Sequence, residues 1–250
     1  MCGRYASTKD PAKLAAEFAA VDATGSAAPG ADYNVAPTKS VFSVVARHSD
    51  DDEQSTERSL RVMRWGLIPH WAKSKSIGSK MINAKSETVT AKPAFRSSIK
   101  RKRCLIPADG WYEWKREGTV KQPYFMTPAD GSSLAMAGIW STWRDPEADA
   151  DAPPLVSCSV LTTDAIGRLT EIHERMPLVL SPSAWSQWLD PDALDIGDLL
   201  GPPSQDLVDA LELRPVSTAV NNVRNNGVEL LERVDPIVEP VGLDRDSESR

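Results

Sequence analysis

The stretch Arg103-Cys-Leu-Ile-Pro-Ala-Asp-Gly-Trp-Tyr-Glu-Trp114, with Pro123-Tyr-Phe-Met-Thr127 and Leu134-Ala-Met-Ala-Gly-Ile-Trp140 behind it, decides the fold. Each apolar run is short and bounded by Pro, Asp or Gly, the punctuation of strands and turns rather than of helices. Arg103–Pro107, Pro123–Thr127 and Leu134–Trp140 therefore read as strands. Working outward, the same pattern gives strands at Val41–Ala46, Leu60–Leu67, Leu155–Thr162 and Pro177–Leu180. One early helix is clear: Asp10 caps it, Pro11 takes its first position, and Leu14, Ala15, Phe18 and Ala19 share a face. Further helices are predicted at Asp164–His173, Pro182–Leu189 and Ser204–Leu211, the last two capped by Ser181 and Ser204. Strands dominate without regular βαβ alternation. The expected class is α+β, a single domain over residues 1–240 built on antiparallel, barrel-like sheets with peripheral helices. Ser49–Arg58 and Asp145–Pro154 read as acidic loops, and residues 241–250 as a disordered polar tail.

The chain has 250 residues and a formal charge of −6. That length buries a full core without disulfides or structural metal. Three cysteines (Cys2, Cys104, Cys158) at wide spacing imply neither a disulfide framework nor a CxxC site, and with only three histidines no metal or cofactor is expected. No apolar run approaches the roughly 18 residues of a membrane span, and the first residues lack a signal-peptide core, so a cytoplasmic protein with no membrane partner is expected. Nothing points to a repeated interface, and a monomer is the expectation.

The overall charge argues against bulk coating of nucleic acid, but it is unevenly distributed. Residues 61–116 hold 14 Lys/Arg and 3 Asp/Glu, a local balance of +11, which leaves −17 for the rest of the chain. Within this basic segment stand Trp65, Trp71, Phe95, Trp111, Tyr112 and Trp114. Cations interleaved with aromatics suit a single nucleic-acid strand, tracking phosphates and stacking bases. Tryptophans are also good core residues, and Lys100-Arg-Lys-Arg103 alone reads equally well as a solvated turn.

Cys2 is the position most informative about chemistry. Removal of Met1 would leave an α-amine and a thiol on one carbon framework. An amine with a pKa of about 7.7–8.0 is substantially neutral at physiological pH, and a thiol near about 8.5 is within reach of thiolate. Amine and aldehyde give a Schiff base, and the thiol can then close a thiazolidine on the imine carbon. The bland reading of the same position is a small residue after the initiator. Glu113, set among aromatic rings after an apolar strand, is a candidate for proton transfer because desolvation lifts a carboxyl pKa. His173, in Glu171-Ile-His-Glu-Arg-Met-Pro177, sits before a proline-led strand and can point into a cleft. Each has a structural alternative, a surface ion pair for Glu113 and a helix C-cap for His173.

The motifs Met1-Cys-Gly-Arg4, Tyr33-Asn-Val-Ala-Pro-Thr38, Arg64-Trp-Gly-Leu-Ile-Pro-His-Trp71, Ile82-Asn-Ala-Lys-Ser-Glu-Thr88, Asp109-Gly-Trp-Tyr-Glu-Trp114, Ile172-His-Glu-Arg-Met-Pro177 and Val220-Asn-Asn-Val-Arg-Asn-Asn226 follow one another through the chain. Together they resemble the SOS-response-associated peptidase (SRAP) family of abasic-site processing proteins. The resemblance implies a DNA-damage function: binding of single-stranded DNA at an abasic site and a covalent cross-link to its aldehyde through Cys2. By the same resemblance Asn34 orients the cysteine or the sugar, Glu113 shuttles protons, and His173 assists imine formation, ring opening and reversal. It implies a DNA path along Arg4, Pro37, Trp71, Asn83, Lys85, Trp114, Thr162 and Arg175. Lys85 departs from the family's arginine and loses the planar bidentate fork.

A Met-Cys-Gly start is also compatible with other functions. Class II glutamine amidotransferases also begin Met-Cys-Gly, and there Asn34 could serve an oxyanion hole. The later motifs do not belong to that class. A thiol peptidase acting beyond Met1 has no visible peptide pocket, and a pure reader of modified bases leaves Cys2 without a purpose.

Overall fold

A computed structural model describes residues 2–48, 55–149 and 151–237. The strands are β1 (Tyr5–Ser7), β2 (Val21–Asp22), β3 (Asp32–Val35), β4 (Ser40–His48), β5 (Thr56–Trp65), β6 (Asn83–Lys85), β7 (Arg103–Ala108), β8 (Gly110–Glu117), β9 (Val120–Pro128), β10 (Leu134–Trp143), β11 (Leu155–Asp164), β12 (Arg175–Pro177) and β13 (Leu211–Pro215). Four short α-helices accompany them: α1 (Pro11–Glu17), α2 (Ser98–Arg101), α3 (Trp185–Leu189) and α4 (Gln205–Asp209). The α+β class and mainly antiparallel sheets match the expectation. Residues 49–54, among them Asp50–Asp52, and the tail 241–250 lie outside the described residues.

The larger sheet runs β12-β11-β10-β7-β4-β5-β2, and β11 also pairs with β5, so that β5, β4, β7, β10 and β11 close into a ring. The smaller sheet runs β13-β9-β8-β1-β3. Strand alternation sorts the ring's side chains into two cores. Val41, Val45, Met63, Trp65, Cys104, Ile106, Trp140 and Cys158 pack with Cys2, Tyr5, Trp111 and Met126 of the smaller sheet's side. Phe42, Val44, Leu60, Leu105, Ile139 and Leu161 pack instead beneath the helices, against Leu14, Phe18, Trp185 and Trp188. Cys104 and Cys158 are wholly buried, as apolar strands require.

Helix α1 is built as expected at its start: Asp10 is extended, its Oδ1 accepts from Lys13 N–H at 2.9 Å, and Pro11 stands at N1. Its end differs. Ala19 has φ 48° and is exposed, so the buried face is Leu14, Ala15 and Phe18, with Phe18 stacked on Trp185 at 4.5 Å.

Other elements also differ from expectation. Asp164–His173 is not a helix: β11 runs through Asp164, Gly167 takes φ 53°, and only a 3-10 turn, Gly167–Glu171, follows. Leu169 and Ile172 are buried at helical spacing, which is why the stretch reads as a helix. Pro177–Leu180 yields only the end of β12 and one bridge at Val179, while Leu178 N–H and Leu180 N–H donate to Leu161 and Ala135. Ser181 and Ser204 are extended but make no side-chain cap bonds. Leu211 opens β13 rather than closing a helix. Thr56–Arg58 belongs to β5, paired with β4, and not to a loop.

The basic run splits in an informative way. Lys100 and Arg101 are exposed, but Arg103 is only 3% exposed. Its guanidinium donates to the carbonyls of Trp188 (2.6 Å), Ile99 (2.9 Å), Lys100 (2.6 Å), Ala193 (3.0 Å) and Asp190, closing the carbonyl ends of α2 and α3. Arg103→Met is expected to leave those carbonyls unsatisfied and cost about 3 kcal/mol, read as a lowered urea midpoint; a loss under about 0.5 kcal/mol would contradict this role.

Candidate active site

The site begins with how the N-terminal segment is held. β1 lies between β3 and β8, with Tyr5 opposite both Val35 and Trp111. Tyr112 N–H donates to Arg4 O at 2.9 Å, so the antiparallel register continues toward the N-terminus and sets Gly3 opposite Glu113. Cys2 is thereby delivered beside Glu113. Gly110 makes this possible: a Cβ there would fall 2.5 Å from Phe125 Cζ and nearer still to Met126 O, so only glycine lets β8 start against β9.

His173 arrives from the other side, on the connection between the Gly167–Glu171 turn and β12. Its Nδ1 accepts from Arg175 N–H at 2.9 Å, which places the proton of the neutral imidazole on Nε2. Trp111, Glu113, Met126, Leu169, Ile172, His173, Arg175 and Met176 line one small cleft. Glu113 and His173 are thus brought together, and Cys2 lies within the field of Glu113.

The electrostatics are those of a dry site. Glu113 is 4% exposed, and burial raises its carboxyl above the ordinary range. Burial, then the charge of Glu113, push the Cys2 thiol well up. This corrects the expectation of a thiol near thiolate: in this environment sulfur holds its proton. A buried carboxyl that holds its proton more tightly than an exposed glutamate does is suited to general acid–base work.

The two asparagines of the conspicuous motifs divide their labour. Asn83, on β6 and paired in register with Val160, donates from Nδ2 to Cys2 O at 2.7 Å. Asn34 is wholly buried and faces away from this contact: its Nδ2 donates to Val220 O (3.3 Å), Asn222 O (3.1 Å) and Asn225 O (3.0 Å), and its Oδ1 accepts from Arg4 Nη1 at 2.6 Å. The residue fastening the cysteine is Asn83, which sequence reasoning had placed on the DNA path; Asn34 fastens the 220–226 loop. The signal separating them is strand pairing across the fold, which adjacent residues do not reveal.

The remaining expected contacts fall into three groups. Trp71 (51% exposed) and Lys85 are at the surface. Arg4 and Trp114 form a wall, with the guanidinium 6.0 Å from the ring centroid and Lys121 Nζ 5.1 Å from the same ring. Thr162 and Arg175 are buried beneath: Arg175 Nη1 meets Glu87 Oε1 and Asp164 Oδ1, each at 2.5 Å, and Nη2 donates to Thr162 O at 2.7 Å. Its guanidinium is held by two carboxylates, and its backbone orients His173. Pro37 is half-buried before Thr38, whose N–H donates to Trp65 O at 2.9 Å. Among the described residues, no group of three His, Cys, Asp or Glu is arranged to hold a metal, and no helix is long and apolar enough to cross a membrane.

A buried cysteine at position 2 in the field of a buried carboxyl, with an imidazole in that carboxyl's cleft, beside a closed ring of mixed strands, defines a candidate thiol and carboxyl site. The chain belongs to the SOS response associated peptidase (SRAP) family, which matches residues 1–223. It is similar to the abasic site processing proteins YoqW and YoaM of Bacillus subtilis, 38% and 37% identical over 204 residues, 80% of this chain and 85% and 84% of theirs. HMCES of Xenopus tropicalis, also named an abasic site processing protein, is 34% identical over 225 residues, covering 80% of this chain and 65% of its own. A crystal structure of a protein from Bacteroides thetaiotaomicron superposes with a TM-score of 0.79 at 25% identity, covering 93% of this chain and all of the other.

Proposed function

We propose that the protein processes abasic sites in single-stranded DNA, forming a covalent cross-link through Cys2 once Met1 has been removed. The observation that supports this reading is that Glu113 and His173 share one small cleft, with buried Cys2 in the field of Glu113 and Arg4 against the Trp114 ring nearby. The relatives' names support the same lesion.

The chemistry balances without a cofactor. Hydrolysis of the Met1–Cys2 bond, which we assign to the same site, consumes one water and frees the α-amine. The neutral amine adds to the ring-opened sugar's aldehyde carbon, and the resulting carbinolamine loses water to give an imine. Sulfur then adds to the imine carbon while its proton passes to nitrogen, closing the thiazolidine. Glu113 in its protonated form gives the departing hydroxyl its proton, and His173 Nε2–H stabilises the oxygen during opening of the sugar ring. A thiol that stays protonated until the imine exists leaves the amine to attack first. Asn83 fixes the Cys2 carbonyl and so orients both nucleophiles. The protein is read as a cytoplasmic monomer acting in the DNA damage response.

The test is direct. Purified protein incubated with a single strand carrying one abasic site is expected to give a heat-resistant shifted band on a denaturing gel, and no band with undamaged strand. No adduct with the lesion would refute the proposal.

A further inference from the structure

The Val220–Asn226 loop has no part in the chemistry above, yet it is among the most heavily fastened segments of the molecule. Val220 O accepts from Arg4 Nη1 at 2.8 Å as well as from Asn34, and Asn34 holds Asn222 O and Asn225 O. The loop's own asparagines turn toward the protein. Asn221 Oδ1 accepts from Trp114 Nε1 at 2.7 Å, Asn225 Nδ2 donates to Ala219 O at 2.8 Å, and Asn226 Oδ1 accepts from Tyr33 N–H at 2.7 Å. Asn222 Oδ1 accepts from Arg224 N–H at 3.1 Å and sets the turn at the tip. What remains outward is Val223, 49% exposed, and Arg224, also exposed.

This arrangement is costly unless the tip meets something. The half-buried Arg4 and the wholly buried Asn34 are both committed to holding a loop whose tip is exposed. Rigid presentation of one apolar and one cationic side chain, next to Arg4, Trp114 and Lys121, continues the cationic and aromatic wall beyond the cleft. Among the described residues no carboxylate pairs with Arg224, which leaves its guanidinium available to a phosphate. The site also couples mechanically to the reactive end of the chain, because Arg4 is two residues from Cys2 and bonds Asn34 and Val220 with one nitrogen.

We propose that the Val223–Arg224 tip is a strand-contact element: Arg224 takes a backbone phosphate of the single strand, and Val223 packs against a base or sugar face next to the lesion. This rests on the abasic-site reading for the nature of the strand. It adds a positioning surface that acts on where the strand lies, not on bond making.

Equilibrium binding to a fluorescent undamaged single strand tests it without any cross-linking step. Arg224→Gln is expected to weaken binding about fivefold, and to lower the slope of log affinity against log salt by about 0.7, the value for one single-strand phosphate contact. Arg224→Lys is expected to restore the slope, and Val223→Ser to weaken binding with the slope unchanged. With abasic strand, the half-saturating DNA concentration for cross-linking should rise in parallel while the rate at saturation stays that of the parent. Unchanged affinity and unchanged slope in Arg224→Gln would overturn the inference. A parent protein that binds strand, with the expected losses in the variants, but forms no adduct would instead overturn the abasic-site reading and leave the contact element standing.

Discussion

Replacing Cys2 with alanine is expected to abolish the heat-resistant adduct with abasic single strand while leaving strand binding within about twofold of the parent. With Met1 removed, as intact mass must establish, alanine keeps an α-amine but cannot close the ring, so the reaction stops at a hydrolysable imine. Cys2→Ser tests the division of labour between the two nucleophiles. Its imine should be captured by borohydride reduction at a rate near the parent's, and without reductant the heated gel should show no band. The site's electrostatics give this expectation its direction. Burial, then the charge of Glu113, hold the thiol pKa up, and the proposed mechanism accordingly puts amine attack before sulfur addition. A Cys2→Ser protein whose intact mass shows Met1 removed and that still cannot be trapped by borohydride would contradict amine attack as the first step. A stable, heated adduct from Cys2→Ala would remove the thiazolidine altogether. Since residue 2 is wholly buried, unfolding midpoints must accompany both variants.

The second large effect belongs to Glu113. Burial holds its carboxyl above the ordinary range, so protonated acid persists at a pH where an exposed glutamate would be ionised. In the proposed mechanism loss of water from the carbinolamine uses that proton, so the rate is expected to fall as pH rises through the raised carboxyl value. Attack uses the neutral amine, so the rate gains as pH rises through the amine value, about 7.7–8.0. The parent's single-turnover rate should therefore be bell-shaped. Glu113→Gln is expected to be roughly 100-fold slower near neutrality and to keep only the ascending, amine-dependent limb. A Gln variant with the parent's bell would assign the acid limb elsewhere, with His173 the neighbouring group to examine. Strand affinity should stay unchanged, since Glu113 is buried away from the surface.

How much of this was legible in the sequence depended on the kind of signal. The ring strands were visible because long apolar runs at Val41–Ala46, Leu134–Trp140 and Leu155–Thr162 alternate against turn residues, and burial on both faces demands that pattern. β1, β3 and β8 were not named as strands, and the reason is physical. Tyr5–Ser7 and Asp32–Val35 are too short to show an alternating pattern, and Gly110–Glu117 ends in a charged run, so none of the three has the apolar signature of the ring strands. The error at Asp164–His173 arose because Leu169 and Ile172 repeat at helical spacing while the backbone breaks at Gly167, whose positive φ is a conformational fact with no apolar signature.

At the site, Cys2 was legible from its position and Glu113 from its aromatic setting. Asn34 and Asn83 could not be told apart in role, since each stands in a dense motif and only the β6–β11 pairing brings Asn83 to the Cys2 carbonyl. The charged residues behaved likewise. Arg103 belongs to a basic run and Arg175 to a motif expected on DNA, yet register buries both guanidiniums, one among backbone carbonyls and one between Glu87 and Asp164. A count of charges in sequence therefore overstates the cation exposed at the surface.

The most direct measurement is tandem mass spectrometry of the trypsin- and nuclease-digested adduct. Trypsin cleaves after Arg4, so the expected product is the tripeptide Cys2-Gly-Arg4, without Met1, carrying the sugar remnant with loss of one water, and with no free thiol for iodoacetamide to alkylate. A remnant on a lysine, a peptide that retains Met1, or a modified tripeptide whose thiol still alkylates would each contradict cross-linking through the amine and thiol of Cys2.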